Sequence, residues 1–386
     1  MEVFIVDESS TFFLYVIVDI IALLSMGLAN ITRPVGLDKK YIVSDDSKIS
    51  LSTLFMMISF LTLFMLASFR DYVGRDYGTY VGVFYSVGLD NLYEGERTWL
   101  MQSPLFFLIC KLINIFTDEY LMMFAVIGFI TLFFFYKAIH DISINWLLSL
   151  YLLLCFCLYY QSFNQIRQMT AVAIIAYSYK YLVRDDIKKF FLTVFIASTF
   201  HISALIFGII WPLRKMKMSV KNLVFYFSLG IALFILFDRV VDLLSFVGYV
   251  KNYSGDEEFS AGFTLSTILN FVVRLALFFF CLIFYKLVIK KYSHSLVYYN
   301  LAAICTIAQI GAVKFSIFGR LTTYFFLVYI FLLPEVFQIL IEHLDKMGKL
   351  IFYIVVLIAF AIYFLVYYFS PNGAEGGGYL IYSSWI

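Results

Sequence analysis

The chain has 386 residues, 63% of them hydrophobic and only 14% charged, with a net charge of +2. A soluble domain carries about a quarter charged residues, so the composition excludes a water-soluble enzyme, and the absence of a basic tract excludes a nucleic-acid-binding surface. The five cysteines, Cys110, Cys155, Cys157, Cys281 and Cys305, all lie in apolar stretches and read as small buried hydrophobes, which excludes a disulfide or metal framework.

The opening stretch MEVFIVDESS is acidic and lacks the basic region of a cleaved signal peptide, so 11–30 is predicted as a retained first span. Further spans are predicted at 51–69, 120–137, 146–162, 164–183, 222–237, 266–285, 296–313, 321–341 and 350–369, near the ~20 apolar residues that cross a bilayer. The expected fold is all-α: one polytopic integral membrane domain over residues 1–386, with about 10–12 transmembrane helices. Basic clusters sit at Arg33/Lys39/Lys40/Lys48, Arg184/Lys188/Lys189, Arg214/Lys215/Lys217/Lys221, Lys286/Lys290/Lys291 and Lys346/Lys349. The positive-inside rule places them all in the cytoplasm. Alternation then requires two partial elements: a re-entrant or surface-lying helix at 104–116, and a helical hairpin over 190–213 that turns near FHIS, 200–203. Both termini and two long loops, 70–103 and 238–265, then face outside.

Five stretches carry polar chemistry. FRDYVGRDYGTYVGVF sets Arg70, Asp71, Arg75 and Asp76 among tyrosines and glycines. An arginine fork suits phosphate and tyrosine faces suit a sugar; a solvated loop with local ion pairs is the plainer reading. In FNQIRQMTA, Asn164, Arg167, Gln168 and Ala171 fall at i, i+3, i+4 and i+7 and share one helical stripe. Arg167 reaching to lipid head groups is the alternative, but amides on the same face would be wasted against lipid. His201, in ASTFHISALIF, is either a structural histidine or a proton acceptor at the hairpin turn. Arg274 lies inside a span, which is costly and marks a functional candidate, with a structural ion pair as the alternative. Arg320 sits at the mouth of another span, with Thr323 and Tyr324 on its face, as a binding group or an interfacial anchor. Arginines, amides, tyrosines and one histidine gathered in the outer half of the membrane suit an anionic, hydroxyl-rich ligand. Metal-ligand spacings and a nucleotide-binding glycine loop are absent from the sequence.

The motifs FRDYVGRDYGTY, IRQMTAVAIIAYSYKYL, ASTFHISALIFGIIWPL and GRLTTYFFLVYIFLLP, in this order, resemble the EpsG-like branch of the Wzy O-antigen and exopolysaccharide polymerases. The resemblance covers roughly residues 50–340 and is most specific in Arg-Gln-x-x-Ala followed by Phe-His-x-Ser-Ala. Two positions depart from the family pattern: Arg75 stands where a threonine is usual, and Gln102 where a glutamate is often seen.

The resemblance implies a GT-C-related membrane glycosyltransferase of the bacterial cytoplasmic membrane, with its active site facing the periplasm or exterior. Its substrates would be oligosaccharide repeats on undecaprenyl pyrophosphate, and neither a metal nor another cofactor is expected. Membrane lipids, a chain-length regulator and a flippase of the same pathway would be its partners. Arg167 and Arg320, with Arg274 and Arg75 in support, would hold pyrophosphate. His201 or Asp76 would act on the acceptor hydroxyl. Arg70, Tyr80, Asn164, Gln168 and Tyr324 would position sugars. An O-antigen ligase, a flippase or secondary transporter, and an acyltransferase are the alternatives. Two moderate outer loops fit a ligase less well than one dominant loop would, and no internal repeat points to a transporter.

Overall fold

The computed structural model describes residues 3–33, 50–236, 239, 265–314, 316–370, 378–379 and 381–385. It is helical throughout, apart from one two-stranded ladder. In chain order the elements begin with β1 (Val3–Val6), α1 (Glu8–Ile31), α2 (Leu51–Ser68), α3 (Tyr77–Gly88), α4 (Glu94–Gln102) and α5 (Pro104–Phe116). Next come α6 (Leu121–Ile142), α7 (Trp146–Cys155), α8 (Leu158–Asn164), α9 (Ile166–Val183) and α10 (Ile187–Phe200). After a 3-10 helix (Ile202–Ile209) follow α11 (Ile210–Leu213), α12 (Val220–Ile235), α13 (Leu265–Ile283), α14 (Tyr285–Lys291) and α15 (Ser295–Lys314). The chain continues with α16 (Ser316–Phe326), α17 (Tyr329–Ile341), α18 (Lys346–Tyr368) and β2 (Tyr382–Trp385).

Among the described residues, five helices are long and apolar enough to cross a membrane, or nine if each of four bent pairs is one span. The expected spans included 222–237, which the structure gives as a short apolar helix. The spans at 146–162, 266–285 and 321–341 are each broken, with bends of 48°, 61° and 44°. The partial element at 104–116 is a separate helix, turned 111° from α4 at Ser103. Residues 70–103, expected as a long loop, fold mostly into α3 and α4. The expected loop at 238–265 falls almost wholly outside the described residues.

The chain divides into two compact units. Unit 1 comprises Met1–Tyr177, Ile196–Ile202 and Tyr353–Ile386. Its helices start where short polar side chains cap them: Asp7 accepts the Ser10 amide at 2.8 Å, and Ser50 accepts that of Thr53 at 3.2 Å. α1 buries Tyr15, Ala22, Met26 and Ala29 and exposes Phe13, Ile17, Leu24 and Leu28. Large apolar residues turned outward are the pattern of a helix packed in lipid, and the two alanines let neighbouring helices approach closely. Polar cross-links fix α1, α2 and α6 together: Ser59 of α2 donates to the Ala22 carbonyl at 2.8 Å and meets the Tyr136 hydroxyl at 2.7 Å.

Late residues of the chain close over an early turn of unit 1. β2 pairs antiparallel with β1, Val3 opposite Trp385. The Tyr382 hydroxyl donates to Leu66 at 3.0 Å, the Asp71 amide to Ser383 at 2.8 Å, and the Gly74 amide to Gly378 at 2.7 Å. Gly74 has a φ of 116°, and a Cβ there would lie 2.3 Å from the Phe163 carbonyl oxygen. This position therefore needs glycine for both its backbone and its clearance.

Unit 2 comprises Ser178–Phe195 and Ser203–Phe352. Here the hairpin expected over 190–213 is present. α10 ends at Phe200, and the chain returns so that Phe190 meets Phe207 at 5.9 Å and Trp211 at 5.3 Å. Asp185 closes the base of the hairpin by pairing with Arg214 at 2.9 Å and with Lys215. α12 packs on α15, where Tyr226 donates to Asn300 at 2.6 Å. A buried carboxylate, Glu335 of α17, receives His294 at 2.7 Å and Ser295.

Two outcomes test this description. Gly74→Ala should lower stability by about 1–3 kcal/mol, read as a drop in Tm of the detergent-solubilised protein. At Asp185, hydrogen bonds from Lys215 and then Arg214 hold the carboxyl below its usual range. Its contribution is therefore present above the ordinary carboxylate pKa and is lost as pH falls below about 4. Asp185→Asn should cost roughly 0.2–1 kcal/mol near neutral pH and flatten that acid-side dependence in thermal unfolding.

Candidate active site

In unit 1 the site is built around the turn 69–76 and the break between α8 and α9. The turn leaves α2 at Phe69 and immediately buries Arg70. The Arg70 guanidinium donates to the carbonyls of Ala67 and Phe163 and lies 5.0 Å from the Phe124 ring and 4.8 Å from the Phe163 ring. Asp71 accepts the hydroxyls of Tyr120 at 3.0 Å and Tyr77 at 3.4 Å. Arg70, expected to position sugar, is thus committed to bracing the turn. Arg75 is exposed and Asp76 half-buried at its far end. Asp76 begins α3, but its carboxylate makes no capping hydrogen bond.

Asn164, Arg167 and Gln168 do not share one helix. α8 ends at Asn164, Gln165 adopts a non-helical conformation with φ −99° and ψ 56°, and α9 begins at Ile166. The i, i+3, i+4 spacing assumed an unbroken helix. Freed by the break, the Asn164 side chain instead accepts the Asp76 amide at 2.9 Å. Asn164 thereby ties the turn to the start of α9.

Arg167 is in the first turn of α9 and only 7% exposed. It donates to the Ser103 hydroxyl at 3.0 Å. Its guanidinium lies 3.8 Å from the centre of the Trp99 ring, with Tyr80 at 5.8 Å and Phe106 at 6.0 Å. Its buried Nε has no hydrogen-bond partner. Among the described residues no carboxylate pairs with it. Cation–π contact replaces part of the lost hydration, by about 2 kcal/mol when desolvated, but it leaves donors unsatisfied. The position is costly in a second way: a cation at a helix N-terminus opposes the helix dipole. Both costs fall when an anion arrives. Gln168 is buried beside it.

Three members of this cage, Trp99, Ser103 and Phe106, were not among the residues expected from sequence. The bend at Ser103 brings them together, and a tryptophan just before the Ser103–Pro104 helix start was the available signal. His201 is half-buried at the end of α10, at the break predicted for it.

Unit 2 holds the other two arginines. Arg274 of α13 is half-buried and donates through Nη1 to Gln309 and Thr322, with its guanidinium 4.7 Å from the centre of the Phe326 ring. Thr322 in turn donates to the Gly319 carbonyl at 2.7 Å. All these partners are neutral, so the ion pair considered for Arg274 is not formed among the described residues. Gln309 and Thr322 were also missed from sequence, where Thr323 was grouped with Arg320. Arg320 is half-buried on α16. Tyr324, expected at a sugar, is fully buried. Its hydroxyl meets Ser203 at 2.9 Å and its carbonyl accepts Tyr179 at 2.9 Å, so it fastens the hairpin to α16 and α9. Among the described residues no three His, Cys, Asp or Glu side chains gather as a metal site requires.

Every one of these residues falls within a match to the model of the EpsG family, which extends over residues 53–384. No curated protein and no solved structure matches the chain. A family match over most of the chain, on a bundle of apolar helices, fixes its class: this multi-pass membrane protein belongs to the EpsG family.

Proposed function

We propose that the chain is a polysaccharide polymerase that joins lipid-pyrophosphate-linked oligosaccharide repeats by glycosyl transfer. Membership in the EpsG family supports a membrane polysaccharide polymerase in general. The observation that carries the finer reading is Arg167, a buried guanidinium in an aromatic cage with an unpartnered Nε and no carboxylate.

In the reaction, the acceptor hydroxyl oxygen attacks the anomeric carbon of the donor repeat. The anomeric C–O bond to phosphate breaks, and its electron pair stays on the departing lipid pyrophosphate. A preorganised cation in a dry site stabilises that growing charge most strongly. We assign this role to Arg167, with the Trp99, Tyr80 and Phe106 rings around it. The hydroxyl proton passes to Asp76, whose carboxylate is not spent on capping, or to His201. Histidine near its ordinary pKa is the usual proton acceptor, whereas Asp76 shares the turn that Asn164 anchors.

Polymerisation has two lipid-pyrophosphate substrates, the growing chain and the incoming repeat. Among the described residues, Arg167 in unit 1 and Arg274 in unit 2 are each held by neutral partners. We assign Arg167 to the donor and Arg274, with Arg320, to the acceptor's carrier. The carrier is undecaprenyl pyrophosphate in this reading, in the bacterial cytoplasmic membrane, with the basic clusters inside.

Arg167→Ala should reduce turnover about 10²–10³-fold while the protein accumulates normally in the membrane. Arg167→Lys should recover little, because an ammonium lacks the planar fork. The measurement is polymer length on gels and elongation of lipid-linked repeats by purified protein with no added energy source. Wild-type chain lengths in Arg167→Ala would overturn the assignment, and movement of repeats between leaflets without elongation would overturn the polymerase reading. Arg274→Ala should raise the KM for the acceptor repeat roughly 10–100-fold, as for a lost charged hydrogen bond, and leave kcat less affected.

A further inference from the structure

Asp19 lies near the middle of α1, a helix of 24 residues long and apolar enough to cross a membrane. It precedes the residues matched by the EpsG family. An ionisable side chain at such a depth is costly to keep charged and marks a functional position. Its Oδ1 is buried without a hydrogen-bond partner. The Tyr160 hydroxyl faces this carboxyl, and its oxygen too is buried. Tyr160 is completely enclosed, with the Tyr379 ring stacked on it at 6.0 Å.

The remaining titratable groups that face Asp19 are Tyr15 on α1, Tyr136 on α6, Cys155 on α7, Cys157 at the α7–α8 break and Tyr159 on α8. None is a cation. The three tyrosine hydroxyls are already committed: Tyr15 to the Tyr379 carbonyl at 2.9 Å, Tyr136 to Ser59 at 2.7 Å, and Tyr159 to the Leu63 carbonyl at 2.6 Å. Arg70 acts on Tyr15 and Tyr159; its Nη1 and Nη2 donate to backbone carbonyls and its buried Nε has no hydrogen-bond partner. Among the described residues, an ionised Asp19 would face one uncommitted hydroxyl and no cation. A neutral carboxyl needs neither, and it can exchange a hydrogen bond with Tyr160.

We propose that Asp19 and Tyr160 form a proton-binding site within the helix bundle of unit 1, in which the Asp19 carboxyl carries its proton at neutral pH. Loss of that proton sets a bare carboxylate between α1 and α8 and loosens their packing. The site is thus a point at which proton occupancy acts on the first helix.

Dicyclohexylcarbodiimide, an apolar reagent that reacts with protonated carboxyls, tests this on the intact purified chain, with adducts mapped by peptide mass. Asp19 should be modified near pH 6 and at least about tenfold more slowly near pH 9, as expected when a group loses its proton across that range. Asp19→Asn should abolish that adduct, and Tyr160→Phe should change its rate. In thermal unfolding, a carboxyl protonated in the fold loses stability as pH rises above the ordinary carboxylate pKa. Asp19→Asn should therefore gain on the wild type between pH 6 and 9. No adduct at Asp19 near pH 6 overturns the proposal, as does labelling quenched by a water-soluble nucleophile. The labelling is done on wild-type protein without substrate, so it stands whether or not Asp19→Asn folds and whether or not the polymerase reading holds.

Discussion

A guanidinium inside an apolar bundle must replace its lost hydration, and among the described residues Arg70, Arg167 and Arg274 do so without carboxylates. Arg70 uses two backbone carbonyls and two rings, Arg167 a serine and an aromatic cage, Arg274 an amide and a threonine. The first of these solutions needs helices to end, because only a helix end leaves carbonyls free. The Ala67 and Phe163 carbonyls lie in the last turns of α2 and α8. The Ser103 hydroxyl stands at the bend between α4 and α5. The broken helices of unit 1 are therefore the structural counterpart of its buried arginines. Irregular backbone inside a membrane bundle is tolerated where polar groups of the protein satisfy it.

The electrostatic result differs between these arginines. Arg70 donates through Nη1 and Nη2 to two fixed backbone carbonyls and braces the turn, while its Nε has no partner. Arg167 and Arg274 are held by neutral neighbours. A carboxylate partner would have offset the charge at either position. Unit 2 shows what such pairing looks like elsewhere, where Asp185 closes the hairpin base and Glu335 joins His294 to Ser295.

Much of the architecture was legible in the sequence because hydrophobic run length and basic flanks are local signals. The hairpin at 190–213 followed from two basic clusters that a single crossing could not reconcile. The break at His201 was legible for the same reason. The break at Gln165 was not: nothing in FNQIRQMTA forbids a continuous helix, and the turn 69–76 supplies the partner that makes stopping favourable. Arg167 could be singled out because arginine is rare in such surroundings. Its cage could not, because Trp99, Ser103 and Phe106 reach it through a 111° bend and a separation of 64 positions. Tyr324, which the helical wheel set beside Arg320, is buried against Ser203 and Tyr179. Asp19 was passed over because one acid hardly changes the mean hydropathy of a long apolar helix.

The contact between Asp71 and Ser383 joins residues 312 positions apart. Closing so long a loop has an entropic cost that is repaid only once both ends are in place. The arginine-bearing turn therefore remains unfinished while all the intervening helices are being inserted, and it acquires its final shape only when the last strand docks. A nascent chain that already holds the helices before β2 would still lack the Asp71–Ser383 contact. The final shape of this turn is in this way tied to the synthesis and docking of β2.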